Sequence, residues 1–187
     1  VSNAFVKRPW IINKKYLNKF VLVKMATLLN NAEELACVVK LHENHLIGVT
    51  FSCWDLLHAG HHLFLADSKS KCGILCVGLQ TDPTIDRPEK NKPIQTLAER
   101  EIQLKSCRYV DYYFVYDTEQ SLYQSLLDLK PNVRFLGDDY VGKTFTGSDL
   151  PIEISYHPRS THTYSTTNLR NKIYEREVQK RSKTVAL

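Results

Sequence analysis

The chain has 187 residues, 43% of them hydrophobic and 24% charged, enough for one domain with a core and short extensions. No apolar run is long enough to span a bilayer. The formal net charge of +5 sits at the ends, which leaves the middle acidic: residues 1–32 hold six basic residues and no acid, and from Arg170 onward six basic residues face only Glu175 and Glu177. That distribution does not suit a nucleic-acid groove; the ends read either as arms for an acidic partner or as solvated tails. The five cysteines, Cys37, Cys53, Cys72, Cys76 and Cys107, are odd in number and lack CxxC spacing. This excludes a disulfide scaffold or zinc ribbon and points to reduced thiols.

The chain opens on Val1 and its one methionine is Met25, a pattern expected of a processed, truncated or engineered terminus. The acid-free start is also similar to part of an organelle transit segment, although Trp10, Tyr16 and Phe20 are foreign to one. The expected location is the cytoplasm, or an organelle matrix if the basic start is a targeting remnant. Apolar Leu28, Leu35, Val38 and Val39 predict a helix over Thr27–Leu41. The run 45–51 (HLIGVTF) predicts a buried strand, 61–71 a helix, and 73–79 (GILCVGL) a second buried strand. The loop TDPTIDRPEKNKP holds three prolines, which predict no regular structure. Thr96 and Glu99 form a capping-box pattern opening a helix to about Cys107. Further strands are predicted at 112–116, 133–136 and 152–156, with helices at 121–129, stopped by Pro131, and at 167–180.

Strands alternating with helices predict an α/β, Rossmann-like, doubly wound fold: a mostly parallel five-stranded sheet with helices on both faces. A basic extension over 1–44, a domain over 45–181 and a tail over 182–187 are the expected divisions. Ligands of such sheets bind at the carboxyl ends of strands, which directs attention to the loops after Phe51, Leu79, Leu136 and Tyr156.

The first of these loops reads TFSCWDLLHAGH and ends on His61. Gly60 lets backbone approach a ligand, and His58 and His61 can aim imidazole N–H groups at one anion near a helix N-terminus. A structural pair or a metal pair would use the same residue types, and the adjacent His62 weakens the pattern; no cysteine or carboxylate stands at a convincing zinc spacing. Near the end of the chain Arg159 precedes Ser165, Thr166 and Thr167 at the start of the last helix. One hydroxyl would suffice for a helix cap; three with an upstream arginine suit phosphate binding.

The pieces TFSCWDLLHAGH, VGLQTDP, RPEKNKPI, AER ahead of RYVD, LGDDYVGK and R-x5-STT-x-LR, in this order, resemble the cytidylyltransferase family of the HxGH nucleotidyltransferases. The resemblance is greatest to the glycerol-3-phosphate cytidylyltransferases, with ethanolamine-phosphate cytidylyltransferases and the adenylyltransferases of ADP-heptose synthesis as relatives. It implies transfer of a cytidylyl group from CTP, with Mg²⁺, to a small phosphorylated alcohol, and release of pyrophosphate. It further implies catalysis by His58, His61, Arg100 and Lys92. Nucleotide contacts would come from Thr50, Phe51, Ser52, Gly60, Lys90, Gly137, Asp138, Asp139, Arg159, Ser165, Thr166 and Thr167. A homodimer would form through Arg108–Asp111, including Tyr109 and Val110. Two family glycines are absent: Ser52 stands before the motif, and STHTY precedes STT, so His162 and Tyr164 border the base pocket. The opposing expectation is a non-catalytic, nucleotide-binding or scaffold subunit whose basic N-terminal arm touches another protein.

Overall fold

The computed structural model describes residues 25–185. Residues 1–24 of the basic extension expected over 1–44, and the last two residues, lie outside them. Six strands are present: β1 (Thr27–Leu29), β2 (Ile47–Ser52), β3 (Ile74–Gln80), β4 (Tyr112–Tyr116), β5 (Val133–Gly137) and β6 (Glu153–His157). They form one sheet in the order β1-β4-β3-β2-β5-β6, and every neighbouring pair is parallel. The five strands read from sequence are all present; β1 is the sixth. Five helices connect or follow them: α1 (Ala32–Leu41), α2 (Ala59–Ser70), α3 (Leu97–Lys105), α4 (Glu119–Leu129) and α5 (Thr166–Val185).

The expected single helix over Thr27–Leu41 is therefore a strand followed by a helix. Two asparagines divide them. The Asn31 side chain accepts from the Glu34 amide (2.9 Å), and the Glu34 carboxylate accepts from the Asn30 amide (2.8 Å), so a helix start is built at residue 31. Upstream, Thr27–Leu29 pair with Tyr112–Phe114. Leu35 and Val38 of α1 are buried in the core, so this segment packs as part of the sheet's own domain and not as an extension. The proline-rich loop also holds a short 3₁₀ turn over Pro83–Ile85, because Asp82 accepts from the Thr84 amide (2.9 Å) and Pro83 suits the first helical position. α5 runs on to Val185, past the expected tail boundary, through a stretch without glycine or proline.

Two cores lie on the two faces of the sheet. On one, Leu65 of α2 and Leu104 of α3 pack on Leu75, Val77, Leu79, Tyr113 and Phe135. On the other, Leu35 and Val38 of α1 with Leu122, Leu126 and Leu129 of α4 pack on Val49, Cys76 and Phe114. The capping box of α3 is formed as read: the Glu99 amide donates to Thr96 Oγ1 (3.3 Å) and the Thr96 amide to the Glu99 carboxylate (2.7 Å). Val110 and Asp111 are buried, Asp111 accepting from the Leu75 amide (2.7 Å) and from Lys69 Nζ (2.6 Å). Of the segment expected at a dimer interface, only Arg108 and Tyr109 keep exposed area. None of the five cysteines is in a disulfide, and Cys76 and Cys107 are buried. Among the described residues no helix is long and apolar enough to cross a membrane.

Candidate active site

The order in which the chain adds strands reverses between β2 and β5, and their carboxyl ends open a crevice there. β2 brings Thr50, Phe51 and Ser52 to its rim. The turn that follows is tight, because Trp54 (φ 50°) and Leu56 (φ 49°) both adopt left-handed backbone. The buried Trp54 indole donates to the Gly78 carbonyl (2.9 Å) and pins the turn to β3. Asp55, also buried, accepts from the amides of Ile94 (3.1 Å) and Gln95 (3.0 Å), which ties the lysine-bearing loop to the same turn.

The two histidines form the start of α2. His58 is the cap residue, and its Nδ1 accepts from the Gly60 amide (3.1 Å); His61 Nδ1 accepts from the His58 amide (3.3 Å). A backbone N–H can only donate, so each Nδ1 is the unprotonated nitrogen and each Nε2 carries the hydrogen in the neutral ring. The rings stack at 3.9 Å, presenting two Nε2–H donors side by side. His58 Nε2 donates to the Thr166 hydroxyl (3.3 Å), across 108 residues of sequence. Burial holds both imidazoles below the ordinary histidine value, with the Arg159 guanidinium adding to the effect at His58; His61 is lowered to about 3.

That depression has a pH consequence. Below pH about 6.5 the unfolded chain takes up a proton at His61 that the folded, ligand-free chain refuses until about pH 3. Stability from this group is complete above pH 6.5 and falls, at up to about 1.4 kcal/mol per pH unit, as the pH drops through that window. Denaturant titrations at pH 7 and pH 5 should show a larger loss for the unmodified chain than for His61→Asn, which does not titrate. Equal losses would contradict the buried neutral imidazole.

The closing segment lies across this helix start. A Cβ on Gly60 would meet the Tyr164 carbonyl oxygen at 2.9 Å, so the approach requires glycine. Ser165 is used as the cap, accepting from the Asn168 amide (3.1 Å), which leaves Thr166 and Thr167 to face the cleft. Arg159 Nη1 reaches Asp139 (3.1 Å), and Ser160 donates from its hydroxyl (3.0 Å) to Asp138.

A cleft of about 660 Å³ joins these groups. Thr50, Phe51, Ser52, His58, Gly60 and His61 line one side, and Gly137, Asp139, Arg159, Ser165, Thr166 and Thr167 line another, with Lys90 at the rim. A recess of about 150 Å³ opens beyond His61, between Asn91, Thr166, Thr167 and Arg170. Three expected residues stand apart. Arg100 is only 2% exposed and turned inward: its guanidinium donates to the carbonyls of Cys53 (2.9 Å), Gln80 (2.6 Å) and Thr81 (2.7 Å). It laces the ends of β2 and β3 together and does not line the cleft. Lys92 points to Asp82 (3.6 Å) with its side chain 79% exposed, and Asp138 serves Ser160. The sequence reading missed Arg87, Glu119 and Arg134 in the cleft. A charge inside the apolar β5 run was the signal for Arg134; nothing local marked the other two.

Fold and site together describe a parallel α/β domain whose helix N-termini, imidazoles and hydroxyls converge on an anion-sized space. The chain belongs to the cytidylyltransferase-like family, whose sequence pattern matches residues 49–172. It is 33% identical over 170 residues to the bifunctional protein HldE of Helicobacter pylori (strain HPAG1), covering 82% of this chain and 36% of that protein. To the bifunctional protein HldE of Campylobacter curvus it is 32% identical over 127 residues, covering 67% of this chain and 27% of that protein. The chain thus spans about a third or less of the length of these relatives. The solved lipopolysaccharide core biosynthesis protein of Thermoplasma volcanium shares the fold, with a TM-score of 0.52 at 22% identity, over 65% of this chain and 99% of that one. So does the pantoate-beta-alanine ligase of Francisella tularensis, with a TM-score of 0.51 at 18% identity, over 80% of this chain and 78% of that one.

Proposed function

We propose that the chain transfers a cytidylyl group from CTP to a small phosphorylated alcohol. The observation that carries this reading is the convergence of the His58 and His61 Nε2–H donors with Thr166 at the start of α5. A phosphate oxygen of the acceptor attacks the α-phosphorus in line; the bond from that phosphorus to the bridging oxygen breaks, and pyrophosphate leaves with the electron pair. Catalysis is positioning and charge stabilisation, with no covalent enzyme intermediate. The histidines donate to the α-phosphate oxygens as charge builds. Thr167, Asn91 and Arg170 around the recess beyond His61, which Asp55 also lines, suit the departing pyrophosphate. Gly137, Asp139 and Arg159 offer the nucleoside a wall at the β5–β6 end.

Mg²⁺ would neutralise the β- and γ-phosphate oxygens. The cleft gathers imidazoles, hydroxyls and cations with two carboxylates, Asp139 and Glu119, and among the described residues no group of three or more His, Cys, Asp or Glu side chains could hold a metal. The set fits an ion that arrives with the triphosphate and keeps its other ligands as water.

Calorimetric titration with CTP and with ATP, followed by pyrophosphate release with phosphorylated acceptors, tests this. Preference for CTP is expected, because a base held by fixed polar groups is discriminated sharply. Tighter binding of ATP would make the chain an adenylyltransferase, a reading to which the ATP analogue named with the Francisella ligase draws attention. Binding without pyrophosphate release would favour a non-catalytic nucleotide-binding subunit.

A further inference from the structure

Two loops far apart in sequence border the cleft: residues 81–96, between β3 and α3, and residues 138–152, between β5 and β6. The first contributes Arg87, Lys90 and Asn91 to its lining, the second Tyr140, Phe145 and Thr146. Their outer parts are fastened separately. Asp55 accepts from the Ile94 and Gln95 amides near the end of the first loop, and Tyr123 of α4 donates to Asp149 (2.8 Å) near the end of the second. The stretches that face the cleft meet at one side chain, Glu119, the first residue of α4. Its Oε1 pairs with Arg87 (3.2 Å), and its Oε2 accepts from the Thr146 hydroxyl. Its backbone amide donates to Asp86, next to Arg87.

An ionised carboxylate has two oxygens that only accept, so one side chain can hold a donor from each loop at once. Both arms are braced at their far ends. Arg87 also donates to Oε1 of the buried Gln80 (3.0 Å), and the Thr146 carbonyl accepts from Arg134, whose guanidinium lies 5.2 Å from the ring centroids of Phe51 and Phe145. The second loop folds back on α4 at Gly147 (φ 80°), where a Cβ would meet Leu126 Cδ1 at 2.5 Å. The base is firm: Thr118 caps α4, and Leu122, Leu126 and Leu129 are buried. Arg87 and Glu119 are each 32% exposed at the side chain, so their ion pair adds little to global stability. Its effect is local, the removal of freedom from two loops before any ligand arrives.

Resting on the transferase reading above, we propose that Glu119 is a positioning residue: it joins the two loops in the ligand-free chain, so that the triphosphate enters a cleft whose walls are already ordered. Glu119 acts through Arg87 and Thr146 and touches neither substrate. Loops released from it must become ordered as nucleotide binds, which weakens binding and leaves the chemical step unchanged.

Tryptic cuts after Lys90 and after Lys143 report the two loops separately and need no ligand; calorimetry with CTP and pyrophosphate release report the cleft. Glu119→Ala should speed both cuts about tenfold and raise the Kd for CTP about tenfold, with kcat at saturating CTP within about threefold of the unmodified chain. Glu119→Gln keeps a single acceptor oxygen and sets an amide NH₂ beside a guanidinium, where neither can accept. It should therefore retain Thr146 and release Arg87, speeding the cut after Lys90 and not the cut after Lys143. Should Glu119→Ala fail to fold, Arg87→Met and Thr146→Val replace it, each expected to loosen its own loop and weaken CTP. Unchanged cuts overturn the proposal, as do faster cuts with an unchanged Kd. Loss of kcat with an unchanged Kd overturns it too, because Glu119 would then act on the reacting groups. An unmodified chain that neither binds CTP nor releases pyrophosphate removes the transferase reading itself; an unmodified chain that does both, with variants that match it, removes only this inference.

Discussion

His61→Ala is expected to lower kcat by about a hundredfold to a thousandfold, the cost of deleting one preorganised donor to developing charge. CTP binding should fall much less, because the donor acts most strongly where negative charge accumulates in the transition state. Alanine also removes the acceptor that His61 Nδ1 offers to the His58 amide (3.3 Å), so some loss of α2 stability accompanies it. His61→Asn separates the two effects: its short amide can still accept from the backbone, and it cannot reach the phosphate. The asparagine variant should therefore melt near the unmodified chain and remain as inactive as alanine. Near-normal turnover in either variant would remove His61 from the chemistry.

Arg100→Leu should have its largest effect on folding. The guanidinium donates to three carbonyls at the ends of β2 and β3, and leucine would leave these buried and partly buried acceptors without that donor. The expected destabilisation is about 3–5 kcal/mol, read from a denaturant titration. Activity should decline through misplacement of Ser52 and Cys53, and under stabilising conditions the surviving folded fraction should keep much of its kcat. A folded, stable variant with abolished turnover would restore Arg100 to the ligand side and contradict the inward orientation.

The strands were legible because each is a short apolar or β-branched run bounded by loop residues, and β4 falls on Tyr112–Tyr116 as read. β1 was hidden because three residues, Thr27–Leu29, carry too little pattern to compete with the helical periodicity that follows. Only pairing with β4, 85 residues away, makes them a strand. At the site, HxGH and STT could be read because their chemistry is concentrated in a few adjacent positions. The convergence of Thr166 on His58 was expected because both follow strand carboxyl ends, which face one crevice in a doubly wound sheet. Arg100 shows the limit: an arginine on a helix reads the same whether it turns toward the ligand or into the protein, and the carbonyls that claim it come from Cys53, Gln80 and Thr81. Arg134 and Glu119 belong to different elements, and no local spacing links them.

The contact between Gly60 and Tyr164 has a consequence for the order in which the molecule becomes competent. During synthesis β1 to β5 and α2 emerge before the segment that carries Arg159 and Thr166, so on the proposed reading a nascent chain would not grip nucleotide until α5 is free to dock. That helix is exposed along most of its length, and only its first turns touch the body of the domain. A triphosphate bridging α2 and α5 would therefore act as a clasp on the weakest-held element. At a concentration one hundred times its Kd it would add about 2.7 kcal/mol to the folded state. Proteolysis in α5 should accordingly slow when nucleotide is present, while cleavage of loops far from the cleft proceeds as before.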